Sequence, residues 1–225
     1  TLFNARKVGH TGSLDPLATG VLPLCFGEAT KFSRFLLTSD KKYRARLRLG
    51  IRTASGDADS DIVEERSTEG VTLDRIQNVV ESFQGEIDQI PSMYSAIKHR
   101  GKPLYKYARQ GVEVERESRR ITIYSIELLT FSGSEITLQV HSSKGTYVRT
   151  IADDLGEQLG CGAHVAELRR LMAGPFTESD LVTFDEIEAA RAEGGLDGLL
   201  APISSAVSQW PTVRLNTTSA YYLRQ

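Results

Sequence analysis

The chain has 225 residues, of which 40% are hydrophobic and 25% charged, a balance typical of a globular protein with a sizeable core. Its net charge of −2 argues against a generic nucleic-acid coat protein, because such proteins are usually basic. No apolar run approaches the roughly 18 residues that a membrane-spanning helix needs, and the first residues lack the apolar stretch of a secretory signal. Cys25 and Cys161 lie far apart, which predicts a reducing compartment and therefore a cytoplasmic protein.

The charges are segregated along the chain. Residues 31–52 hold eight basic residues against one acidic residue, and residues 98–120 hold eight against three. Residues 55–90 and 153–199 each have a net charge of −8. Any one of these runs is typical of a solvated surface, but the two basic runs together indicate a polyanionic partner.

Three segments have the pattern of β-strands. Residues 41–50 alternate between apolar and basic side chains, which predicts a strand with one buried face and one cationic face. Residues 120–131 and 135–142 are also rich in strand-forming residues, and the Ser-Gly-Ser segment between them indicates a hairpin.

Two helices are predicted from spacing and end signals. Apolar residues at helical spacing predict a helix over 73–83, with Thr72 as its N-cap and Gly85 as its C′ residue. A second helix is predicted over 148–159, and Gly160 ends it.

The last third of the chain is predicted to hold a third helix and a connector. Residues 183–186 form a capping box that begins the helix, and Gly194 stops it. Residues 202–211 are predicted to connect to an opening strand at 212–215. Helices and hairpins mix without strict alternation, so the predicted class is α+β, with a largely antiparallel central sheet flanked by helices.

The densest chemical signal is the glycine-rich segment GHTGSLDPLATG at residues 9–20. Its glycines allow tight turns, and Pro16 holds the preceding Asp15 away from helical conformation, so a loop could present this carboxylate to a ligand. An Asx-turn without catalytic function is the alternative. His10 alone is more often a hydrogen-bonded structural residue than a base.

A second loop, residues 142–150, joins a predicted strand to a predicted helix. Backbone N–H groups at a helix N-terminus suit anions, and Lys144 and Arg149 add positive charge there. A surface turn with two exposed cations is the alternative. The four histidines have no paired metal-ligand spacing, and no phosphate-binding glycine motif is present, so we expect neither a metal nor a cofactor.

These segments together resemble one family, the tRNA pseudouridine synthases of the TruB type. The resemblance covers nearly the whole chain, and the long segment 9–20 is its most specific part. The supporting motifs occur in the family's order: GEATK at 27–31, DKKY at 40–43, PSMYSA at 91–96, KGTYVRT at 144–150 and LRRL at 168–171. The resemblance implies a pseudouridine synthase fold and the conversion of the tRNA T-loop uridine at position 55 to pseudouridine without a cofactor.

The resemblance also implies roles for individual residues. Asp15 matches the essential aspartate, Arg149 the arginine that pairs with it, and Tyr43 the tyrosine that stacks on the uracil. His10 matches the residue that takes the place of the extruded base in the T-loop stack. Leu168 matches an apolar residue around the pocket. Further contacts to the RNA are expected from basic and aromatic residues on these motifs and on the second basic run: Lys31, Tyr94, Lys98, Lys102, Lys106, Lys144 and Tyr147.

The reaction requires the uridine to leave its stack, because neither C5 nor the bond from C1′ to N1 is reachable inside the loop. Asp15 could then attack C1′, attack C6, or abstract the sugar 2′ proton, and the sequence leaves these three routes open. Tyr43 is positioned to assist the later removal of the C5 proton. The expected partner is the tRNA T-arm stem-loop, and the expected state is a monomer away from any membrane.

The resemblance predicts two regions. Residues 1–210 match the catalytic domain without its N-terminal strand, so we expect the chain to begin inside a longer protein. Residues 211–225 are expected to begin a C-terminal RNA-binding module of the PUA type, which the chain does not complete.

Three other functions compete with this interpretation. A glycoside hydrolase also directs a carboxylate at an anomeric carbon, but it usually needs a second one, and the motifs offer only Asp15 and Glu28. A non-catalytic module could bind or fold tRNA through the same loops. A catalytic subunit guided by a small RNA is the third alternative.

Overall fold

A computed structural model describes residues 2–223, which form thirteen strands and six α-helices. The strands are β1 (Val8–His10), β2 (Thr19–Gly20), β3 (Leu24–Phe26), β4 (Lys41–Leu49), β5 (Ile51–Thr53), β6 (Ile62–Glu65), β7 (Gly85–Gln89), β8 (Lys98–His99), β9 (Lys102–Pro103), β10 (Arg119–Ser132), β11 (Glu135–Ser142), β12 (Ala163–Ala173) and β13 (Phe176–Thr177). The α-helices are α1 (Ser33–Leu37), α2 (Leu73–Ser82), α3 (Leu104–Ala108), α4 (Val148–Leu159), α5 (Phe184–Glu193) and α6 (Thr217–Leu223).

One seven-stranded sheet organises the molecule. Its order is β13-β12-β4-β11-β10-β7, and β2 joins it by pairing with β12. All neighbours along this order are antiparallel, whereas β2 runs parallel to β12. The α+β class and the largely antiparallel sheet predicted from the sequence are therefore confirmed.

The alternation predicted for residues 41–50 is confirmed in β4. Ala45, Leu47 and Leu49 are at most 1% exposed and lie in the hydrophobic core. Residues of α2 and α4 belong to the same core, so these two helices cover this face of the sheet. Tyr43 lies on the same face and is only partly buried, because it stands where the strand approaches the loop of residues 9–20.

The other face of β4 is less cationic than its sequence predicts. Arg46 pairs with Glu135 on β11 and with Glu167 on β12, and Arg48 also pairs with Glu135. Carboxylates from both neighbouring strands therefore neutralise part of the first basic run. This neutralisation depends on strand register, which composition does not show.

Most of the predicted turns and caps are confirmed. The hairpin of β10 and β11 turns at Gly133, which has a φ of 61°. The Thr72 side chain caps α2, and Gly160 ends α4 in the left-handed conformation. Thr183 and Glu186 form the predicted capping box of α5.

Two local predictions are wrong. Gly85 is not the residue that follows the end of α2, because that helix ends at Ser82 and Gly85 begins β7 with a φ of 104°. Residues 212–215 form no strand, because no residue within 2–223 pairs with them. Instead Asn216 accepts a hydrogen bond from the Ser219 N–H at 2.8 Å and begins α6. The predicted domain boundary at residue 211 and the PUA-type module stay predictions.

Candidate active site

The loop that carries Asp15 is held at both ends. Upstream, β1 pairs with β3, and downstream β2 pairs with Arg169 and Arg170 of β12. The Thr11 side chain between them is fully buried and donates to the Pro23 carbonyl at 3.2 Å. Asp15 lies at a turn closed by its own carbonyl, which accepts from the Ala18 N–H at 2.8 Å. The Asp-Pro segment is thus a backbone turn and not the Asx-turn given as the alternative, because among the described residues the Asp15 carboxylate accepts from Arg149 and not from the backbone.

Arg149 lies in the first turn of α4 and binds Asp15. The Arg149 side chain is 5% exposed and that of Asp15 is 32% exposed. Arg149 Nη2 donates to Asp15 Oδ1 at 2.9 Å and to the Tyr94 carbonyl at 3.0 Å. The structure therefore brings together the two residues that the resemblance pairs, and it adds the backbone of a third motif.

A second carboxylate, from Asp57, also binds Arg149. Asp57 Oδ2 lies 3.3 Å from Arg149 Nη1, and the Asp57 side chain is 5% exposed. The Ser55 hydroxyl donates to Asp57 Oδ1 at 2.6 Å, and the Ser55 carbonyl accepts from Arg149 Nη1 at 3.2 Å. Sequence reasoning missed Asp57, because the acidic run around it was interpreted only as solvated charge. The Ser-Gly-Asp turn was the one local signal.

Burial raises the pKa of the Asp15 carboxyl above its ordinary value. The positive charge of Arg149 and its hydrogen bond oppose this rise, whereas the negative charge of Asp57 adds to it. The site thus holds two carboxylates around one guanidinium, and the more exposed carboxylate is the one that a ligand can reach.

Tyr43 lies close to Asp15, whose charge acts on the Tyr43 hydroxyl. It lies on β4 directly opposite Arg170 of β12, and Leu168 of β12 is buried two pairs further along, opposite Ala45. Burial raises the pKa of the Tyr43 hydroxyl, Asp15 contributes to the rise, and the Arg170 guanidinium opposes it. The aromatic ring and the aliphatic side chain predicted for the pocket are therefore neighbours on adjacent strands.

Arg170 is the second residue that sequence reasoning missed, although its LRRL motif was recognised. It is 1% exposed, and its Nε donates to the Val21 carbonyl at 2.6 Å. Its Nη1 lies 3.5 Å from the Ser13 carbonyl. A buried guanidinium thus ties β12 to the Asp15 loop. An arginine that follows another arginine in a strand gave no signal of which one points inward.

The other residues predicted for the site differ in how far their side chains are exposed. His10 is exposed on β1, and Lys144 is exposed before α4. Tyr147 is partly buried, and its N–H donates to Gln89 Oε1 at 2.8 Å. Lys31 is exposed but pairs with Glu28, so it is not an unpaired cation.

Lys98, Lys102 and Lys106 are exposed on the segment formed by β8, β9 and α3. None of these lysines forms an ion pair with another residue of the described range 2–223. The Tyr105 N–H of α3 donates to the Ser95 carbonyl at 3.1 Å, next to the Tyr94 that binds Arg149. The basic segment is therefore attached to the motif that reaches the Asp15 site.

Residues 2–223 contain no group of three or more acidic, histidine or cysteine side chains arranged to hold a metal ion. Within the same range, no helix has the length and apolar character needed to cross a membrane.

Comparisons with known proteins identify the family of this chain. The chain matches the family models described as TruB family pseudouridylate synthase (N terminal domain) at residues 1–148 and tRNA pseudouridylate synthase B C-terminal domain at residues 149–208. It is 54% identical over 233 residues to tRNA pseudouridine synthase B of Yersinia pestis (strain Pestoides F), covering 100% of this chain and 72% of that protein. It is 52% identical over 227 residues to the protein of the same name from Coxiella burnetii (strain RSA 493 / Nine Mile phase I), covering 100% and 74%.

Two solved structures also resemble this chain, at lower sequence identity. The chain resembles one in the crystal structure of a Cbf5-Nop10-Gar1 complex with a TM-score of 0.71 and 31% identity, over 92% of this chain and 54% of that one. It resembles one in an H/ACA RNP bound to a substrate RNA containing 2′-deoxyuridine with a TM-score of 0.67 and 28% identity, over 92% and 53%. The chain thus spans about half the length of those two chains. On the evidence of both family models and of the relatives that match along the whole of this chain, the chain belongs to the TruB family of pseudouridylate synthases.

Proposed function

We propose that the uridine that this chain isomerises to pseudouridine in tRNA is the one at position 55 in the T-loop. Relatives that are 52–54% identical over the whole chain are named tRNA pseudouridine synthase B, which supports tRNA as the substrate. One structural observation carries the chemistry: the partly exposed Asp15 carboxylate lies 2.9 Å from the buried Arg149 guanidinium.

The target nucleotide has to leave the T-loop stack before it can react. Unstacking costs about a few kcal/mol, and an aromatic wall recovers part of this cost. Tyr43 supplies that wall, and the exposed His10 takes the place of the base in the loop. The exposed Lys98, Lys102 and Lys106 bind the phosphates of the stem-loop, together with Lys144 and with Tyr94 and Tyr147 around the pocket.

The chemistry breaks the bond from C1′ to N1, rotates the uracil and joins C1′ to C5. Asp15 is the catalytic carboxylate, acting as nucleophile at C1′ or C6 or as base toward the sugar 2′ proton. Burial favours its neutral form, so Arg149 is needed to maintain a useful ionised fraction. Tyr43 then removes the C5 proton, and Leu168 closes the apolar side of the pocket.

We infer that the protein acts as a cytoplasmic monomer on the T-arm, without a metal or a cofactor. Each step above uses only proton transfer and nucleophilic attack by side chains of the site. The two buried cysteines suit a reducing compartment.

The test is to incubate the purified protein with a synthetic T-arm stem-loop and no other RNA, and then to map pseudouridine chemically. We expect pseudouridine at position 55 with the natural chain. Asp15→Asn is expected to form none while it binds the stem-loop with nearly unchanged affinity.

The outcomes separate the competing functions. Binding without pseudouridine formation would indicate an RNA-binding or folding module, and a requirement for an added guide RNA would indicate a guided subunit. Product formation by Asp15→Asn at a near-normal single-turnover rate would show that Asp15 is not the catalytic carboxylate.

A further inference from the structure

One nitrogen of the Arg170 guanidinium makes no hydrogen bond to any residue that the structure describes. Arg170 Nε and Nη1 lie against backbone carbonyls, but its Nη2 is buried and has no hydrogen-bond partner among the residues that the structure describes. A buried donor without a partner is costly, and the cost is greater for a charged group. Such an atom is available to an acceptor that becomes negatively charged only at some stage of the reaction.

The hydroxyl of Tyr43 is an acceptor on the same face of the sheet, and the Arg170 charge acts on it. Arg170 and Tyr43 are paired residues of neighbouring strands, so their side chains leave the sheet on the same face. Burial and the charge of Asp15 both raise the pKa of Tyr43, and the Arg170 guanidinium is the group that opposes them. A phenolate at this position would therefore need a cation beside it, and Arg170 is that cation.

We propose that Arg170 is a positioning residue that stabilises the Tyr43 phenolate while Tyr43 removes the proton from C5 of the flipped uracil. This inference rests on the proposed function, because it deepens the role of Tyr43 in that reaction. It gives Arg170 a part in the second half of the reaction, whereas Arg149 serves Asp15.

The proton transfer starts from the intermediate in which C1′ is already joined to C5. In this intermediate C5 carries both the sugar and its original hydrogen, and the ring has a double bond between C6 and N1. The phenolate oxygen takes the C5 proton, the C–H electron pair forms the double bond between C5 and C6, and the electrons of the C6–N1 double bond move to N1. The phenol then returns the proton to N1, which regenerates the phenolate and completes pseudouridine.

A purely structural role is the competing explanation, because Arg170 also ties the Asp15 loop to β12. Thr11 offers a matched control for that role. Its buried hydroxyl holds the same loop through the Pro23 carbonyl. Thr11→Val therefore loosens the loop without removing a charge beside Tyr43.

The experiment measures single-turnover rates on a T-arm stem-loop that carries either hydrogen or deuterium at C5 of the target uridine. For Arg170→Lys and Arg170→Met we expect the rate to fall about 10- to 100-fold, no more than the lower end of the roughly 100- to 10,000-fold that a general base contributes, because Tyr43 itself remains. We also expect a larger deuterium isotope effect than in the natural chain, because removal of the C5 proton becomes slower than the earlier steps. Thr11→Val should lower the rate without enlarging the isotope effect.

A slower reaction with an unchanged isotope effect in both Arg170 variants would assign Arg170 to loop support and overturn the proposal. If Arg170→Met does not fold, Arg170→Lys alone decides, because it keeps a buried charge on a side chain too short to serve both the loop and Tyr43. Failure of the natural chain to form pseudouridine would instead refute the proposed function, so the two failures are distinguishable.

Discussion

At the scale of single residues, Asp57 fixes the arginine that Asp15 needs. Arg149 Nη1 is held by Asp57 and by the Ser55 carbonyl, which leaves Nη2 directed at Asp15. Without the Asp57 charge, the guanidinium could turn, and displacements of about 1 Å at an active site can cost roughly 100-fold in rate.

We therefore expect Asp57→Asn to lower the single-turnover rate roughly 10- to 100-fold while the dissociation constant for the stem-loop stays nearly constant. The Asp57 side chain is only 5% exposed and has little surface to offer RNA, so its effect should be confined to the chemical step. Asp59→Asn is the matched control, because Asp59 is an exposed carboxylate two residues further along the same loop. Equal losses of single-turnover rate in Asp57→Asn and Asp59→Asn would indicate that removing any negative charge from this loop slows the reaction.

The raised pKa of Asp15 has a consequence for stability. Its pKa in the folded state lies above the ordinary value of 3.8, so between these two pH values the folded protein holds more protons than the unfolded chain. The free energy of unfolding therefore decreases as pH rises through this window, and the loss persists at neutral pH. The active-site carboxylate thus destabilises the fold that it serves.

Asp15→Asn should consequently melt at a higher temperature than the natural chain at pH 7. The expected change is a rise because the variant cannot carry the negative charge that burial disfavours in the folded state. The difference should vanish well below pH 3.8, where Asp15 is neutral in both states. A lower melting temperature at pH 7 would show that the ion pair with Arg149 outweighs the burial of the carboxylate.

At the scale of elements, the two basic runs differ in how far acidic neighbours neutralise them. The first lies on and beside β4, where Arg46 and Arg48 are paired with acidic residues of neighbouring strands. The lysines of the second run lie on β8, β9 and α3 and are exposed, whereas Arg116 and Arg120 of that run pair with Glu113 and Asp88. Two runs with eight basic residues each thus give one partly neutralised strand and one surface suited to phosphates.

Lys102→Gln combined with Lys106→Gln should weaken binding of the stem-loop and reduce its dependence on salt. Each lost phosphate contact removes roughly 0.7–0.9 from the slope of log K against log salt, so the double variant should lose about 1.4–1.8. Arg46→Gln combined with Arg48→Gln removes the same number of charges from β4 and should leave the slope unchanged. A similar change in both double variants would show that β4 also contacts RNA.

Strands and helices of this fold could be predicted from the sequence where they depend on residues close together in the chain. The alternation of β4, the cap of α2 and the end of α4 depend on neighbours within one element, and all three are confirmed. Asp57, the pairing of Arg46 and the inward direction of Arg170 depend on which strands and loops become neighbours. Those contacts are set by register and topology, so no local pattern predicted them.

At the scale of the whole molecule, the boundary between the two family models is not a structural boundary. The models meet between residues 148 and 149, within the first turn of α4. The residues after this point include β12, which lies between β4 and β13 in the central sheet, and Arg149, which completes the Asp15 site. The core therefore requires both parts of the chain.

This requirement predicts how truncated chains behave. A fragment of residues 1–148 should show no cooperative unfolding, because β4 would lose β12 along one edge and the core would lose α4. A fragment of residues 1–182 should unfold cooperatively, because no residue in 183–223 is buried, although the Trp210 ring would leave its edge-to-face contact with Phe35. Urea unfolding followed by circular dichroism measures both. A cooperative transition in the fragment 1–148 would show that the sheet folds without β12 and would contradict the single shared core.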